Sequence, residues 1–337
     1  MKKTDMNAWK QEVLASRTRL AMPILTSLGF ELTGTTLRQG ATDCRVQALA
    51  IHALARRYPF AASPMMMDLS VEAEAFGARI KLSDDDVPVV IGSLLPDCSE
   101  VDSLVVPTLE TGRIPQYLEA ARLTAQSVAD RPVFAGCIGP FSLAGRLLGM
   151  TEIMTEILVD PEGVLRLLEK CTGFLEIYMT AFIGTGVNGV IIAEPAAGLL
   201  SPKQCEEFSS AFVSRLVAAV QSRCFAVILH NCGNTGGQNR TMLSTGAWGL
   251  HLGNKNNLPR TLAELPSDVL VMGNIDPAGV FRLGTPEQVM AETARLLEAT
   301  GDFPNFVISS GCDIPPLVPA ANVDAFLDAL NRYNAVR

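Results

Sequence analysis

The stretch that decides the fold is "PKQCEEFSSAFVSRLVAAVQSRCFAVILHNCGN", residues 202–234. Its first part, residues 202–222, opens with a proline and continues as a helical pattern, and proline is favoured in the first turn of a helix. A short apolar run follows at residues 226–230 and ends in a polar turn that contains glycine, which predicts a buried strand. The stretch therefore indicates one helix–strand unit of a parallel sheet.

The same unit recurs along the 337-residue chain. Strands are predicted at residues 22–27, 62–67, 133–138, 190–193, 226–230, 249–252, 269–272 and 306–309. Helices are predicted between them at residues 43–57, 113–129, 161–183, 202–222 and 286–300. Eight such units predict a single-domain (β/α)8 TIM barrel over residues 1–337, and a doubly wound open sheet is the alternative. Residues 77–107 do not fit the alternation and predict a hairpin excursion between the second and third strands.

Composition argues against a nucleic-acid-binding protein, a membrane protein and a disulfide-rich protein. The net charge of −8 lacks the basic surplus that binding a phosphate backbone requires, so nucleic acid is not an expected partner. No apolar run approaches the roughly 18 residues of a membrane span, and the first ten residues lack the apolar stretch of a signal peptide. We therefore expect a cytoplasmic protein without membrane contact. Its eight cysteines contain no CxxC pair, and in a reducing compartment they predict no disulfide framework.

Polar residues stand where the predicted strands end. In a (β/α)8 barrel the catalytic groups lie at the carboxyl ends of the strands, where the loops converge. The residues at these positions are Asp68, Glu194, His230, Cys232, Asn254, Asn274, Asp276, Cys312 and Asp313.

His230, Cys232 and Cys312 form a candidate zinc site within this group. In extended backbone, residues two apart point to the same side, so the side chains of His230 and Cys232 can face one point. Cys312 ends the last strand and faces the same mouth. One imidazole and two thiolates suit Zn²⁺, and three protein ligands with one open position are typical of a catalytic site. A strand that merely runs into a turn is the alternative, and His251 is either a supporting partner or an interior histidine.

Six stretches of the chain resemble the uroporphyrinogen decarboxylase superfamily, and within it the cobalamin-dependent methyltransferase branch, which comprises methylcobalamin:coenzyme M methyltransferases and the related chloromethane and O-demethylating enzymes. These are "MPILTSLGFELTG" (22–34), "MMMDLSVEAEAFG" (65–77), "IGPFSLAGRLLG" (138–149), "LHNCGNT" (229–235), "GNIDP" (273–277) and "SSGCDIPPLVP" (309–319). The decarboxylases of the superfamily carry an arginine-rich motif at the amino terminus. Residues 23–34 of this chain contain no arginine, which argues against porphyrin decarboxylation.

The resemblance implies a (β/α)8 barrel that binds zinc through an HxC pair and a late cysteine, which fall on His230, Cys232 and Cys312. It also implies methyl transfer between a corrinoid, supplied as methylcobalamin on a separate corrinoid protein, and a zinc-bound thiol or similar small-molecule acceptor. The alternative direction takes the methyl group from an O-, N- or S-methyl compound to a Co(I) corrinoid. The hypothesis from a different functional class is a zinc-stabilised binding or scaffold protein that catalyses no reaction.

Two carboxylates are candidates for supporting catalytic roles. We expect Glu194 to serve as an exchangeable fourth zinc ligand or as a proton acceptor. We expect Asp276 to support the site or to contact the substrate. Either residue can instead cap a loop, and the sequence leaves both readings open.

Overall fold

The computed structural model describes residues 4–336. The strands found in this part of the chain are β1 (Ser63–Pro64), β2 (Ile80–Lys81), β3 (Val89–Val90), β4 (Val133–Ile138), β5 (Gly189–Ala193), β6 (Ala226–Asn231), β7 (Gly249–Leu252), β8 (Leu270–Ile275) and β9 (Phe306–Ser310). β1 and β4 to β9 form one curled parallel sheet in chain order, and β2 pairs with β3 in an antiparallel hairpin.

Helices surround this sheet. Those in the described residues are α1 (Met6–Ala15), α2 (Ser27–Thr33), α3 (Leu37–Thr42), α4 (Cys44–Arg57), α5 (Val71–Ala75), α6 (Ile114–Ser127), α7 (Pro140–Leu148), α8 (Met150–Val159), α9 (Pro161–Thr185), α10 (Pro202–Cys205), α11 (Ala211–Val220), α12 (Asn239–Ser244), α13 (Leu258–Glu264), α14 (Pro286–Ala299) and α15 (Ala320–Ala335). Short 3-10 helices occupy Cys98–Ser103 and Pro195–Leu199, and π-helical segments occupy Glu206–Ser210 and Pro277–Arg282. At least one helix follows each strand of the parallel sheet.

The alternation predicted from the sequence is confirmed for most of the chain. The predicted strands at residues 133–138 and 249–252 have the observed bounds, and the four predicted at residues 190–193, 226–230, 269–272 and 306–309 differ by one to three residues at one or both ends. The predicted hairpin excursion is confirmed as β2 and β3. Its turn packs on α3, where Asp84 accepts hydrogen bonds from the Leu37 amide at 3.1 Å and the Thr36 hydroxyl at 3.0 Å.

The strand predicted at residues 22–27 is wrong. Only Ala21 forms a parallel bridge, to Ile308 in β9, and Ser27 already begins α2. Pro23 explains the difference, because proline has no amide hydrogen to donate to a strand ladder. The short segment still makes backbone hydrogen bonds on both sides: the Met22 amide donates to Ile308 at 2.9 Å, and Ala21 accepts from the Ala61 amide at 2.8 Å.

The sheet is buried on both faces. Every residue of β5, β6, β7, β8 and β9 is buried, as expected for a parallel sheet covered by helices. Continuous apolar runs such as Val227 to Leu229 therefore replace the alternating pattern of a half-exposed strand. Within residues 4–336, no helix combines the length and the apolar character that crossing a membrane requires.

Candidate metal centre

The side chains of His230, Cys232 and Cys312 meet at the carboxyl end of the sheet. Their ligand atoms all lie within 4.8 Å of one another, and the Sγ of Cys312 is 3.4 Å from the Nε2 of His230. His230 lies in β6, Cys232 follows that strand directly, and Cys312 follows β9. His230 is buried, whereas both cysteines are partly exposed, so the group opens toward solvent on its thiol side.

Close backbone contacts position Cys232. A Cβ atom added to Gly253 would lie 2.2 Å from the Cys232 carbonyl oxygen, so only glycine permits this approach. The loop of Gly253 is held in turn by Asn274, whose Nδ2 donates to the Gly253 carbonyl at 2.8 Å. Glycine beside the metal site therefore lets the backbone of the Gly253 loop lie directly against the backbone of Cys232.

A second buried histidine supports the ring of His230. His251 lies opposite His230 in the β6–β7 register, and the two Nδ1 atoms are 2.8 Å apart. The Nε2 of His251 lies 2.8 Å from the Oγ of Ser309 in β9. Burial is the largest cause that lowers the pKa of His251 well below its ordinary value, so this ring is neutral at pH 7.

The thiols of Cys232 and Cys312 are hydrogen-bonded to each other and differ in acidity. A hydrogen bond from the Cys312 thiol is the largest cause that lowers the pKa of Cys232 below its ordinary value near 9, against the opposing effect of burial. The same contact and burial raise the pKa of Cys312 well above its ordinary value. Cys232 is therefore the more acidic of the two thiols, and Cys312 is its hydrogen-bond donor.

This donor set fits a soft divalent cation. A buried imidazole nitrogen, a thiolate and a second thiol that ionises on binding match the N/S ligation of zinc. Three convergent donors also leave one position of a tetrahedral site for another group. That these three residues hold zinc stays a prediction at this point.

Glu194 lies next to the centre through its backbone, and its carboxylate turns to helix α7. Its amide donates to the His230 carbonyl at 2.8 Å. The two carboxylate oxygens accept from the Phe141 and Ser142 amides, each at 2.8 Å, and the Ser209 hydroxyl donates at 3.2 Å. Burial raises the pKa of Glu194. In the described part of the chain, the carboxylate is not among the ligand atoms that cluster with His230.

Asp276 caps the π-helical segment that begins at Pro277. Its Oδ1 accepts from the amides of Ala278 and Gly279 at 2.9 and 2.8 Å. With Asn254 and Asn274 it also lines a cavity of about 470 Å³ beside the ends of β7 and β8. Its carboxylate is thus both a loop cap and part of a polar cavity wall.

The remaining strand-end carboxylates differ in their surroundings. Asp68 is completely buried and receives hydrogen bonds from Arg113 and from the Tyr117 hydroxyl, the latter at 2.7 Å. It therefore belongs to an internal ion pair. Asp313 adjoins Cys312, and burial raises its pKa to about 7.

The sequence does not indicate a functional role for Ser309, Arg113 or Tyr117. Ser309 is only the last residue of the strand predicted at residues 306–309. Only the register of the strands reveals its role. The pairing of β6 with β7 places His230 beside His251, and the pairing of β8 with β9 places Ser309 where its side chain faces the same interior. Arg113 and Tyr117 carried no usable signal, because they contact Asp68 from a helix more than 40 residues downstream.

An imidazole and two thiols that converge at the carboxyl ends of parallel strands define an α/β protein with a candidate metal centre on its sheet. The chain belongs to the uroporphyrinogen decarboxylase (URO-D) family, whose model matches residues 13–333. The expected superfamily is therefore confirmed.

Curated relatives of the chain include methylcobamide:CoM methyltransferases and uroporphyrinogen decarboxylases. The methylcobamide:CoM methyltransferase MtbA of Methanosarcina mazei is 28% identical over 278 residues, which are 81% of this chain and 80% of that protein. A uroporphyrinogen decarboxylase of Anaeromyxobacter dehalogenans is 27% identical over 288 residues, 82% of each chain. Among solved structures, a methyltransferase from Methanosarcina mazei superposes with a TM-score of 0.87 at 23% identity, covering 98% of this chain and 99% of that one, which supports the fold.

Proposed function

We propose that this protein is a zinc-dependent methyltransferase that moves a methyl group between a corrinoid and a thiol bound at zinc. The observation that carries the proposal is the cluster of His230, Cys232 and Cys312 at the carboxyl end of the sheet. Similarity to methylcobamide:CoM methyltransferases over about four fifths of the chain supports it. The absence of arginine from residues 23–34 favours this activity over the decarboxylation performed by other relatives.

We further propose that the architecture is a closed (β/α)8 barrel formed by one domain. The segment around Ala21 takes the place of the first strand, because its backbone hydrogen-bonds to β9 on one side and to Ala61, just before β1, on the other. All eight loops at the carboxyl ends then face one mouth, with the metal ligands contributed by the loops and ends of β6 and β9.

The chain's own residues would prepare the site for the ion. His230 presents one ring nitrogen, and the hydrogen bond from Cys312 lowers the pKa of Cys232, so Cys232 loses its proton to the binding metal more readily than an ordinary thiol does. Bound zinc would supply the charge that deprotonates a coordinating substrate thiol at neutral pH. Two cysteine ligands keep the centre electron-rich and thereby preserve the nucleophilicity of that thiol.

In the transfer itself, the sulfur–carbon bond forms while the cobalt–carbon bond breaks, and the electron pair of the broken bond stays on cobalt. We propose that a separate cytoplasmic corrinoid protein delivers the cobalt, because the chain contains no DxHxxG-type cobalamin signature. Glu194 and Asp276 enter this proposal as supporting residues. The contacts of Glu194 favour a positioning role, in which it fixes α7 beside the centre, and Asp276 faces a polar cavity that can admit part of a substrate.

The opposite direction remains the second proposal. There the protein takes a methyl group from an O-, N- or S-methyl compound to Co(I), and the metal would act as a Lewis acid on the leaving heteroatom. The same donor set of His230, Cys232 and Cys312 would serve both directions, because in each case the substrate heteroatom would bind the metal that these residues hold.

The test is to incubate the zinc-loaded protein with methylcobalamin and a panel of thiols, and separately with Co(I) cobalamin and methylated compounds. Zinc-dependent loss of the methylcobalamin spectrum with formation of a thioether supports the leading direction. Methylation of Co(I) alone supports the reverse direction. A protein that transfers no methyl group in either assay, but loses thermal stability without metal, would be a zinc-stabilised scaffold and would contradict the proposal.

A further inference from the structure

A buried line of hydrogen bonds runs from His230 away from the thiols. The Nδ1 of His230 lies 2.8 Å from the Nδ1 of His251, and the Nε2 of His251 lies 2.8 Å from the Oγ of Ser309. The Ser309 hydroxyl lies 2.7 Å from the carbonyl oxygen of Met22. His251 and Ser309 are completely buried, so bulk water does not compete for these contacts.

The direction of donation follows from the end of the line at Met22. A carbonyl oxygen only accepts, so the single Ser309 hydroxyl proton lies toward Met22. Pointing that proton at His251 would leave two oxygens 2.7 Å apart with no proton between them. The Ser309 oxygen therefore accepts from the Nε2–H of His251.

The tautomer of His230 then follows from that of His251. A neutral imidazole that carries its proton on Nε2 has a bare Nδ1. The Nδ1 of His251 is thus the acceptor of the 2.8 Å contact, and the Nδ1 of His230 is the donor. The His251 carbonyl oxygen, 3.2 Å from the same His230 nitrogen, is a second acceptor for this proton. The Nε2 of His230 is left with its lone pair, on the side of Cys312.

We propose that His251 and Ser309 are positioning residues that hold His230 in the tautomer protonated at Nδ1, so that Nε2 is ready to bind the metal. This inference rests on the proposed function only in taking zinc as the ion. A metal-binding histidine usually donates its second N–H to a carboxylate, a main-chain carbonyl or water. Here the neutral imidazole of His251 accepts that hydrogen bond, so the ring of His230 is oriented without adding a negative charge to a centre that already holds two thiol ligands.

The first test measures zinc affinity by competition with a chromophoric chelator. Loss of a hydrogen-bond partner behind a ligand typically weakens metal affinity about 10- to 100-fold. We expect that range for His251→Leu, a smaller loss for Ser309→Ala, and partial recovery in His251→Asn, which keeps an acceptor. Ser310→Ala is the matched control, because Ser310 is equally buried in the same strand and its hydroxyl accepts from Ile24 outside this line. Its affinity is expected to stay that of the wild type.

The second test reads the tautomer in the metal-free protein, by nitrogen-15 NMR of labelled histidine. We expect His230 to be protonated at Nδ1 in the wild type and in Ser310→Ala, and to populate the Nε2–H form in Ser309→Ala. Wild-type affinity in both His251→Leu and Ser309→Ala, or His230 protonated at Nε2 in the wild type, would overturn the proposal. If His251→Leu does not fold, the Ser309→Ala variant and the NMR spectrum still decide. A normal tautomer pattern in a protein without methyl transfer would reject the proposed function and keep this inference.

Discussion

The Nε2 of His230 lies 3.4 Å from the Sγ of Cys312, although 82 positions of sequence separate the two residues. The contact exists because β6 and β9 are parallel strands of one curled sheet whose carboxyl ends converge. Cys232 joins them from the loop after β6, and the three donors together form a centre suited to zinc.

The acidity of Cys232 can be tested by alkylation of the metal-free protein. Because the Cys312 thiol lowers the pKa of Cys232, a larger fraction of Cys232 is thiolate at pH 6 than of a thiol with a pKa near 9, which is almost fully protonated there. Iodoacetamide at pH 6, followed by peptide mapping, is expected to label Cys232 first. Its labelling rate should fall at least about tenfold in Cys312→Ala, because the main donor to the thiolate is removed. Cys205→Ala is the control, and equal rates in both variants would contradict the assignment.

Two variants of Glu194 distinguish a contribution to stability from a contribution to metal binding. Glu194→Ala leaves the buried amides of Phe141 and Ser142 without their acceptor, so we expect the free energy of unfolding to fall by about 1 to 3 kcal/mol. Glu194→Gln keeps one acceptor oxygen and should lose less. Urea denaturation measures both, and zinc affinity should stay close to that of the wild type. A large loss of zinc in both variants would instead identify Glu194 as the fourth ligand.

The buried ion pair of Asp68 and Arg113 should dominate the electrostatic contribution to stability. Arg113→Met leaves a completely buried carboxylate without its cation, and such a break costs about 3 to 5 kcal/mol in the free energy of unfolding. Adding Asp68→Asn to that variant should restore part of the loss. Arg260→Met is the control, since the Arg260–Glu264 pair is exposed and its removal is expected to leave the urea midpoint unchanged. A similar effect in both single variants would refute this ranking.

Gly253 should be essential for the metal site because no side chain fits between its backbone and that of Cys232. In Gly253→Ala the new Cβ would meet the Cys232 carbonyl oxygen at 2.2 Å, so the loop that carries the thiolate must shift. We expect a clear loss of zinc affinity in a protein that still folds. Gly237→Ala is the matched loop control, because no atom lies within 4 Å of its added Cβ. Wild-type affinity in Gly253→Ala would show that the close approach is not required.

Much of this centre could be predicted from the sequence, because its three candidate ligands lie at or just after the ends of predicted strands. The apolar run before His230 marks β6, the spacing of two residues places Cys232 beside it, and the last strand leads to Cys312. These features follow from local periodicity and from the parallel alternation of strands and helices. The same reasoning placed the hairpin excursion correctly.

The parts that were missed depend on contacts between distant segments. Pro23 removes a donor that the first strand needed, a detail that an apolar run does not reveal. The hydrogen bond from His230 to His251 requires the register of β6 against β7. The engagement of Glu194 by α7 requires the position of a helix that ends more than 40 residues before it. Such pairings arise from tertiary packing, which composition and periodicity do not encode.

The central claim is that His230, Cys232 and Cys312 together hold one zinc ion. Metal analysis of the purified wild type, His230→Ala, Cys232→Ser and Cys312→Ser tests it most directly, with Cys224→Ser as a control because Cys224 is also a partly exposed free thiol. The account predicts about one zinc per chain in the wild type and in Cys224→Ser, and a loss of most zinc in each of the three ligand variants. Full zinc content in any one of those three variants would contradict it.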